Sequence, residues 1–192
     1  MSDKPLIAIS WLAACGGCDE AVLDLDHGLP DLAARARIAH WPLAMDSKED
    51  DLARLEDGAL AVALVSGAVR NTHDVRQARL LRSKARVLVA MGACACWGGV
   101  PGLAHLRPHG DILDRVSRHA STVENPHGTR PAPQSECHGF RLSLPRLLDC
   151  VYPLDSVVRA DYFLPGCPPP PKLIADALDA ALDGALPPPG AT

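Results

Sequence analysis

Four cysteines in three separate places of the chain have the residue type and the surroundings that metal binding needs. Cys15 and Cys18 lie in the run ACGGC, Cys94 lies in MGACACWGG, and Cys167 lies in LPGCPPPP. Each place follows a short apolar stretch that is typical of a β-strand. Because the carboxyl ends of parallel strands gather at one edge of a sheet, the three loops are predicted to meet there. Four thiolates that converge on one point form the ligand set of an iron–sulfur cluster.

The residues beside these cysteines suit rigid metal-binding loops. Two glycines separate Cys15 from Cys18 and let the backbone fold sharply, so that both sulfurs face the same way. Cys167 lies between Pro165 and the run Pro168–Pro171, and proline both restricts the backbone and removes N–H donors. The third loop is therefore predicted to be stiff and dry.

The second place contains two cysteines, Cys94 and Cys96, of which only one is expected to reach the common site. Residues two apart point the same way in extended backbone, but they need not do so in a tight turn. The C-x-x-C pair alone would also suit half of a zinc site or a redox pair. A zinc ribbon requires a second C-x-x-C pair, and the spacing from Cys94 to Cys96 is one residue too short. Zinc is therefore the alternative to an iron–sulfur cluster.

The residues near these motifs also have ordinary structural explanations. The chain holds seven cysteines, and an odd number argues against a framework made of disulfides alone. Cys150, in LLDCVYP, is predicted to be a small core residue, whereas Cys137 has no predicted role. Asp19 and Glu20 follow the C-x-x-C pair at a predicted helix start, where acidic side chains are favoured without any part in chemistry.

The elements that would position the cysteines follow from the hydrophobic pattern. Two strand candidates are nearly continuous apolar runs, as expected for strands covered on both faces. Strands alternate with helices, which predicts right-handed βαβ units and an α/β fold with a doubly wound parallel sheet. The predicted strands are Leu6–Leu12, Arg37–Pro42, Leu60–Ser66, Arg86–Met91 and Val157–Leu164. The predicted helices are Asp19–His27, Asp74–Arg82, Asp111–His119, Arg141–Cys150 and Pro171–Leu186.

The 192 residues are predicted to form a single domain over residues 1–192, since this length suits one hydrophobic core. Residues 5–120 would form the α/β core. Residues 121–192 would supply a long Pro- and Gly-rich loop, the last strand and the C-terminal helix. This loop-rich C-terminal segment would carry Cys167.

Charge and hydropathy limit the classes of partner. The net charge is −4 and the basic residues are scattered, which argues against nucleic acid and anionic membranes. No apolar run approaches the roughly 18 residues of a membrane-spanning helix. The first residues, MSDKPLIAIS, show neither a secretory pattern nor a twin-arginine signal, so a cytoplasmic location is expected.

With these motifs in place, the chain resembles the small subunit of a nickel–iron hydrogenase. The matching stretches are CGGCDEA at Cys15–Ala21, GACACWGGVPG at Gly92–Gly102 and DYFLPGCPP at Asp161–Pro169, in the order and spacing of that family. The resemblance implies a flavodoxin-like fold and one proximal 4Fe–4S cluster. It assigns the cluster ligands to Cys15, Cys18, Cys94 and Cys167 and implies a large partner subunit that carries nickel and iron.

The resemblance also implies a role in electron transfer. The chain would be one subunit of an enzyme, not catalytic alone, and would relay electrons to a diaphorase or another iron–sulfur or flavin subunit. Only 25 residues (192 − 167) follow Cys167, without Cys or His, so one cluster is expected. The stretches around Gly92–Pro101 and Asp161–Pro168 look most like the soluble NAD-reducing, bidirectional type. The stretch Ser121–Gly128 looks like the F420-non-reducing type.

Two other functions are weighed against this one. A flavodoxin-like module could bind FMN, but ACGGC occupies the place where a phosphate-binding loop would follow the first strand. The iron–sulfur subunit of NADH:quinone oxidoreductase resembles the chain in fold, but its signature uses two adjacent cysteines. Here Ala14 precedes Cys15, and the sequence contains no Cys-Cys pair. FMN is therefore possible but unsupported, and the quinone-reductase function is weak.

Overall fold

The computed structural model describes residues 4–187, which form strands and helices in alternation over the first half of the chain. The strands are β1 (Leu6–Trp11), β2 (Arg37–His40), β3 (Leu60–Ser66), β4 (Val69–Asn71), β5 (Ala85–Met91), β6 (Gln134–Cys137), β7 (Phe140–Ser143), β8 (Leu147–Tyr152) and β9 (Tyr162–Leu164). The α-helices are α1 (Gly17–Leu23), α2 (Gly28–Arg35), α3 (Glu49–Ala53), α4 (Thr72–Lys84), α5 (Gly92–Trp97), α6 (His109–Asp114) and α7 (Pro171–Leu182). Within the described residues, none of the helices has the length and apolar composition needed to cross a membrane.

Five strands form one parallel sheet in the order β2-β1-β3-β5-β9. Counted along the chain among themselves, these strands lie in the order 2-1-3-4-5 of flavodoxin-like proteins. The order reverses between β1 and β3, and ligands of such sheets bind beyond the carboxyl ends of the strands near that point. The predicted doubly wound α/β fold is confirmed.

Successive residues of the central strands point to opposite faces of the sheet, and each face has its own core. Val62 and Leu64 of β3 pack on one side with residues of α1, α2 and α7. Ala63 and Val65 pack on the other side with residues of α3 and α4. Because both faces are covered, β3 has to be apolar along nearly its whole length.

The structure differs from the sequence-based prediction between residues 141 and 164. The predicted helix Arg141–Cys150 is wrong, because this stretch holds β7 and β8 with Pro145 between them. Strand β8 pairs antiparallel with the short strand β4, a contact that links residues far apart in the sequence. Cys150 lies on the exposed side of β8 and is not a core residue. The predicted last strand, Val157–Leu164, is confirmed only for its final three residues, because residues 157–161 form turns and irregular backbone.

Strand β9, which leads to the third cysteine loop, is anchored by a partly buried ion pair. Asp161 accepts hydrogen bonds from Arg82 Nη1 at 2.6 Å and from the N–H of Leu88 at 2.8 Å. The same guanidinium also donates to the carbonyl oxygen of Ala85 at 2.5 Å. The pair therefore joins the C-terminal end of α4 to the edge strand.

Replacing Arg82 by alanine is expected to lower the free energy of unfolding by about 1–3 kcal/mol, since the partly buried Asp161 carboxylate loses a charged donor. Urea unfolding followed by circular dichroism measures the change. The control is Lys172→Ala, which removes an exposed pair with Asp176 on α7 and is expected to cost less than about 0.5 kcal/mol. Equal losses in the two variants would contradict the anchoring role of Arg82.

Candidate metal centre

The first two cysteines lie at the start of α1, directly beyond β1. The loop between them and the strand is held against the loop after β3, because Ala13 and Ala68 exchange backbone hydrogen bonds of 2.9 and 3.0 Å. Gly16 has a φ of 92° and allows the sharp turn that begins the helix. Cys15 is exposed and Cys18 is partly buried.

The third cysteine of the predicted set lies in the first turn of α5, directly beyond β5. Cys94 is 8% exposed, and the backbone N–H of Val100 acts to lower the pKa of its thiol, against the larger effect of burial. Gly99 closes over this residue, since a Cβ at Gly99 would lie 2.8 Å from the Cα, the N and the sulfur of Cys94. Only a glycine leaves room for Cys94 in this conformation.

The fourth cysteine, Cys167, follows β9 and is exposed. Its peptide bond to Pro168 is cis, and the preceding Gly166 has a φ of 140°. The carbonyl oxygen of Gly166 accepts a 2.7 Å hydrogen bond from the N–H of Ala93, beside Cys94. The loops after β5 and β9 are thus tied together at the same edge of the sheet.

The four predicted thiols lie at one edge of the sheet, near enough to influence one another's pKa. The pKa of Cys18 is raised to about 12, chiefly because the thiol is buried. The nearby thiols of Cys94, Cys15 and Cys167 and the carboxylate of Asp19 raise it further, since each disfavours another negative charge. Burial likewise raises the pKa of Cys94, with smaller contributions from Cys167 and Cys15. A quartet of thiols with this mutual repulsion is stabilised as thiolates when a metal supplies positive charge.

The backbone at Gly92 leaves just enough space for the sulfur of Cys18. A Cβ at this position would overlap with the sulfur of Cys18, well inside van der Waals contact, and Gly92 also has a φ of 85°. Glycine is therefore required here for two reasons. The sulfur of Cys18 reaches across from the β1 loop to the backbone of the β5 loop only because this side chain is missing.

The donor set fits a 4Fe–4S cluster. Its four soft thiolates are the ligand type that such clusters take. In a cubane each thiolate binds its own iron, so the sulfurs surround a space and stand farther apart than four ligands of one ion. Within residues 4–187, no three His, Cys, Asp or Glu side chains are grouped closely enough to hold a single metal ion.

Cys96 points elsewhere. Its thiol donates to the carbonyl oxygens of Ala90 at 3.5 Å and Leu164 at 3.7 Å, between the ends of β5 and β9. Burial raises its pKa to about 11, as expected for an inert thiol. The helical backbone of α5 turns Cys94 and Cys96 to different sides, which agrees with the expectation that only one of them reaches the site. Cys137 and Cys150 are exposed in β6 and β8.

Asp19 is a residue beside the site that the sequence analysis explained only as a favourable helix start. It is 1% exposed, and burial raises its pKa although hydrogen bonds from Ser66 and Trp41 act in the opposite direction. The available signal was helical spacing, because Asp19 shares the buried side of α1 with Val22, three residues later. Burying a charged side chain on the apolar side of a helix costs free energy unless other groups form hydrogen bonds with it.

The surface around the cysteine loops is apolar. Leu103 is 62% exposed and Leu106 is 78% exposed, and both lie in the 3-10 segment that follows α5. A groove of about 510 Å³ runs from Ala14, beside Cys15, to Leu103. Its lining also includes Arg70 and Arg107, together with Ala13, Val100, Pro101, Ala104 and Ile112. An exposed apolar surface of this kind is typical of an interaction site.

Comparisons with known proteins show that the chain is similar to subunits of hydrogenases. The chain matches the family "NADH ubiquinone oxidoreductase, 20 Kd subunit" over residues 15–181. It is 36% identical over 185 residues to an iron-sulfur subunit of the F420-non-reducing hydrogenase of Archaeoglobus profundus, covering 96% of this chain and 58% of that protein. It is 30% identical over 181 residues to the delta subunit of the NAD-reducing hydrogenase HoxS of Cupriavidus necator, covering 94% and 80%.

A solved structure gives the same indication for the fold. The chain superposes with a TM-score of 0.80 and 34% identity on a chain of an NAD+-reducing [NiFe]-hydrogenase in the H2-reduced state, covering 96% of this chain and 94% of the other. By contrast, it spans little more than half the length of the F420-non-reducing relatives.

Proposed function

The chain belongs to the family of the NADH ubiquinone oxidoreductase 20 Kd subunit, in which its relatives are hydrogenase subunits, and we propose that it is the electron-transfer small subunit of a nickel–iron hydrogenase. In this proposal Cys15, Cys18, Cys94 and Cys167 hold one proximal 4Fe–4S cluster. Hydrogen would be split on a large partner subunit that carries nickel and iron, so this chain would not be catalytic alone.

The observation that carries the proposal is the meeting of three cysteine loops at the carboxyl edge of one parallel sheet. The loops after β1, β5 and β9 carry the four cysteines, and the sulfur of Cys18 lies against Gly92 of the β5 loop. When bound there, the cluster would supply one-electron transfer. The contribution of the chain is to hold four thiolates in a fixed arrangement and to limit the access of water to two of them, Cys18 and Cys94.

The chain also has a means of adjusting the reduction potential. The hydrogen couple at neutral pH lies at roughly −0.4 V, from about 59 mV per pH unit. Potentials of iron–sulfur clusters span about −700 to +450 mV, and hydrogen bonds to the sulfurs shift them. The backbone N–H of Val100, which acts to lower the pKa of Cys94, is the donor that we propose for this role.

The apolar surface beside Cys15 is the proposed contact with the large subunit. Electrons must cross this contact, so the thiols have to lie close to it, as Cys15 and the groove at Ala14 do. Obligate interfaces bury about 2,000–5,000 Å² and are more apolar than transient ones. The exposed side chains of Trp97, Leu103 and Leu106 give this surface the required character.

Among hydrogenase types, the NAD-reducing type is the one we favour. The chain superposes with a TM-score of 0.80 and 34% identity on a chain of an NAD+-reducing [NiFe]-hydrogenase. A diaphorase is accordingly the electron-accepting partner that we propose, with a cytoplasmic location. A flavin is not part of the proposal, because the run ACGGC, and not a phosphate-binding loop, follows β1.

Co-expression with the large subunit and reduction by hydrogen test the function. We expect the two chains to co-purify and the cluster signal in electron paramagnetic resonance to appear under hydrogen gas. Leu103→Asp is expected to lower co-purification about tenfold or more, since a desolvated charge in an apolar interface is costly, while the iron content is kept. Leu142→Asp, at an exposed leucine of the β6–β7 hairpin, is the control. Intact co-purification of Leu103→Asp would contradict the proposed contact surface.

A further inference from the structure

We propose that Asp19 is a positioning residue for Cys18: its carboxylate fixes the first turn of α1 against the ends of β2 and β3, so that the Cys18 sulfur faces the other three. The inference rests on the proposed function for its importance, but its geometry does not depend on a bound cluster. Neither the sequence pattern nor the likeness to hydrogenases assigns a role to this side chain.

Two hydrogen bonds hold the carboxylate. The indole Nε1–H of Trp41, the first residue after β2, donates to Oδ1 at 3.1 Å. The hydroxyl of Ser66, the last residue of β3, donates to Oδ2 at 2.9 Å. Asp19, Trp41 and Ser66 are each at most 2% exposed, so water does not compete for these bonds.

These bonds fix the rotation of α1 and, with it, the position of the Cys18 sulfur. Asp19 directly follows Cys18 in α1, so a rotation of the helix that moves the carboxylate also moves the sulfur. The sulfur has little freedom, since it occupies the space that the missing side chain of Gly92 leaves open. Ala21 and Val22 also pack in the core, but the two hydrogen bonds act on the residue next to Cys18, in the first turn of the helix.

Two substitutions of Asp19 distinguish the effect of its hydrogen bonds from the effect of its charge. In Asp19→Asn, the amide oxygen can accept from Trp41, and the amide NH2 can donate to the hydroxyl of Ser66, which also accepts. This variant keeps both contacts and loses the charge. In Asp19→Ala both contacts are lost, and the buried indole N–H and the hydroxyl are left without this acceptor.

Crosslinking of the full chain after removal of bound iron reads the position of the sulfur without any cluster. Dibromobimane, a short reagent that joins two thiols, would link Cys18 to Cys94 when it is applied at alkaline pH, because burial raises the pKa of both thiols and only the thiolates react. Mass spectrometry of the linked peptides gives the yield. We expect Asp19→Ala to lower this yield about tenfold relative to the wild type. Asp19→Asn and the exposed control Asp24→Ala should give wild-type yields.

Iron content and the electron paramagnetic resonance signal after reconstitution give the second readout. Asp19→Ala should lose most of the iron, whereas Asp19→Asn should retain the iron and the signal. A wild-type crosslinking yield in Asp19→Ala would overturn the proposal, and so would a loss in Asp19→Asn as large as that in Asp19→Ala. If the wild type binds no iron, the proposed function fails, and the crosslinking yields still decide whether Asp19 positions Cys18.

Discussion

Cys94→Ser is expected to remove the cluster, while Cys96→Ser, two residues away, leaves it intact. The thiol of Cys94 lies near Cys18 and contributes to the raised pKa of Cys18. The thiol of Cys96 instead donates to the carbonyl oxygens of Ala90 and Leu164. A cubane with only three thiolate ligands is unstable because one iron lacks its soft donor. Iron and acid-labile sulfide should therefore fall to near zero in Cys94→Ser.

The pair of variants controls for the substitution itself, since both lie in α5 and both exchange sulfur for oxygen. Circular dichroism should show the same helix and strand content in the two proteins. Hydrogen-dependent reduction in the complex with the large subunit should be lost only in Cys94→Ser. Equal loss of iron in both variants would mean that the ligand from the second loop is wrongly assigned.

Gly92→Ala is expected to have the second largest effect, the loss of most of the bound iron. The added Cβ would occupy the place of the Cys18 sulfur, so that the sulfur must leave the quartet or the β5 loop must shift. A shift of this loop would also strain the hydrogen bond from Ala93 to Gly166, which ties it to the loop of Cys167. Iron analysis and the visible absorption of the cluster measure the loss.

Gly139→Ala is a matched control for backbone strain. Gly139 has a φ of 80°, close to the 85° of Gly92, but a Cβ there would meet no atom within 4 Å. Both variants therefore bear a similar strain of about 1–2 kcal/mol for a left-handed conformation. If Gly139→Ala lost as much iron as Gly92→Ala, the cause would be strain in the chain and not the crowding of Cys18.

The sequence predicted the sheet well because its central strands are buried on both faces. A run such as Leu60–Ser66 has to be apolar throughout in a parallel sheet, and this pattern is visible without any knowledge of the partners. The convergence of the cysteine loops followed from the same reasoning, since parallel strands end at one edge. The order β2-β1-β3-β5-β9 was not predicted strand by strand, since the resemblance implied only a flavodoxin-like fold.

The antiparallel pairs were not predicted because local sequence carries little information about them. Strand β4 has three residues, and its pairing with β8 joins Asn71 to Leu147 across more than seventy positions. The hairpin of β6 and β7 is exposed along its whole length, so its sequence lacks the alternation of buried apolar and exposed polar residues that predicts a strand. Asp19 was explained by its helix position alone, because its two donors lie at the ends of other strands.

The most direct test of the central claim is the iron and acid-labile sulfide content of the purified chain, prepared without oxygen. One cluster held by Cys15, Cys18, Cys94 and Cys167 requires about four iron and about four sulfide per chain. Stoichiometric zinc without sulfide, or about eight iron per chain, would contradict the account.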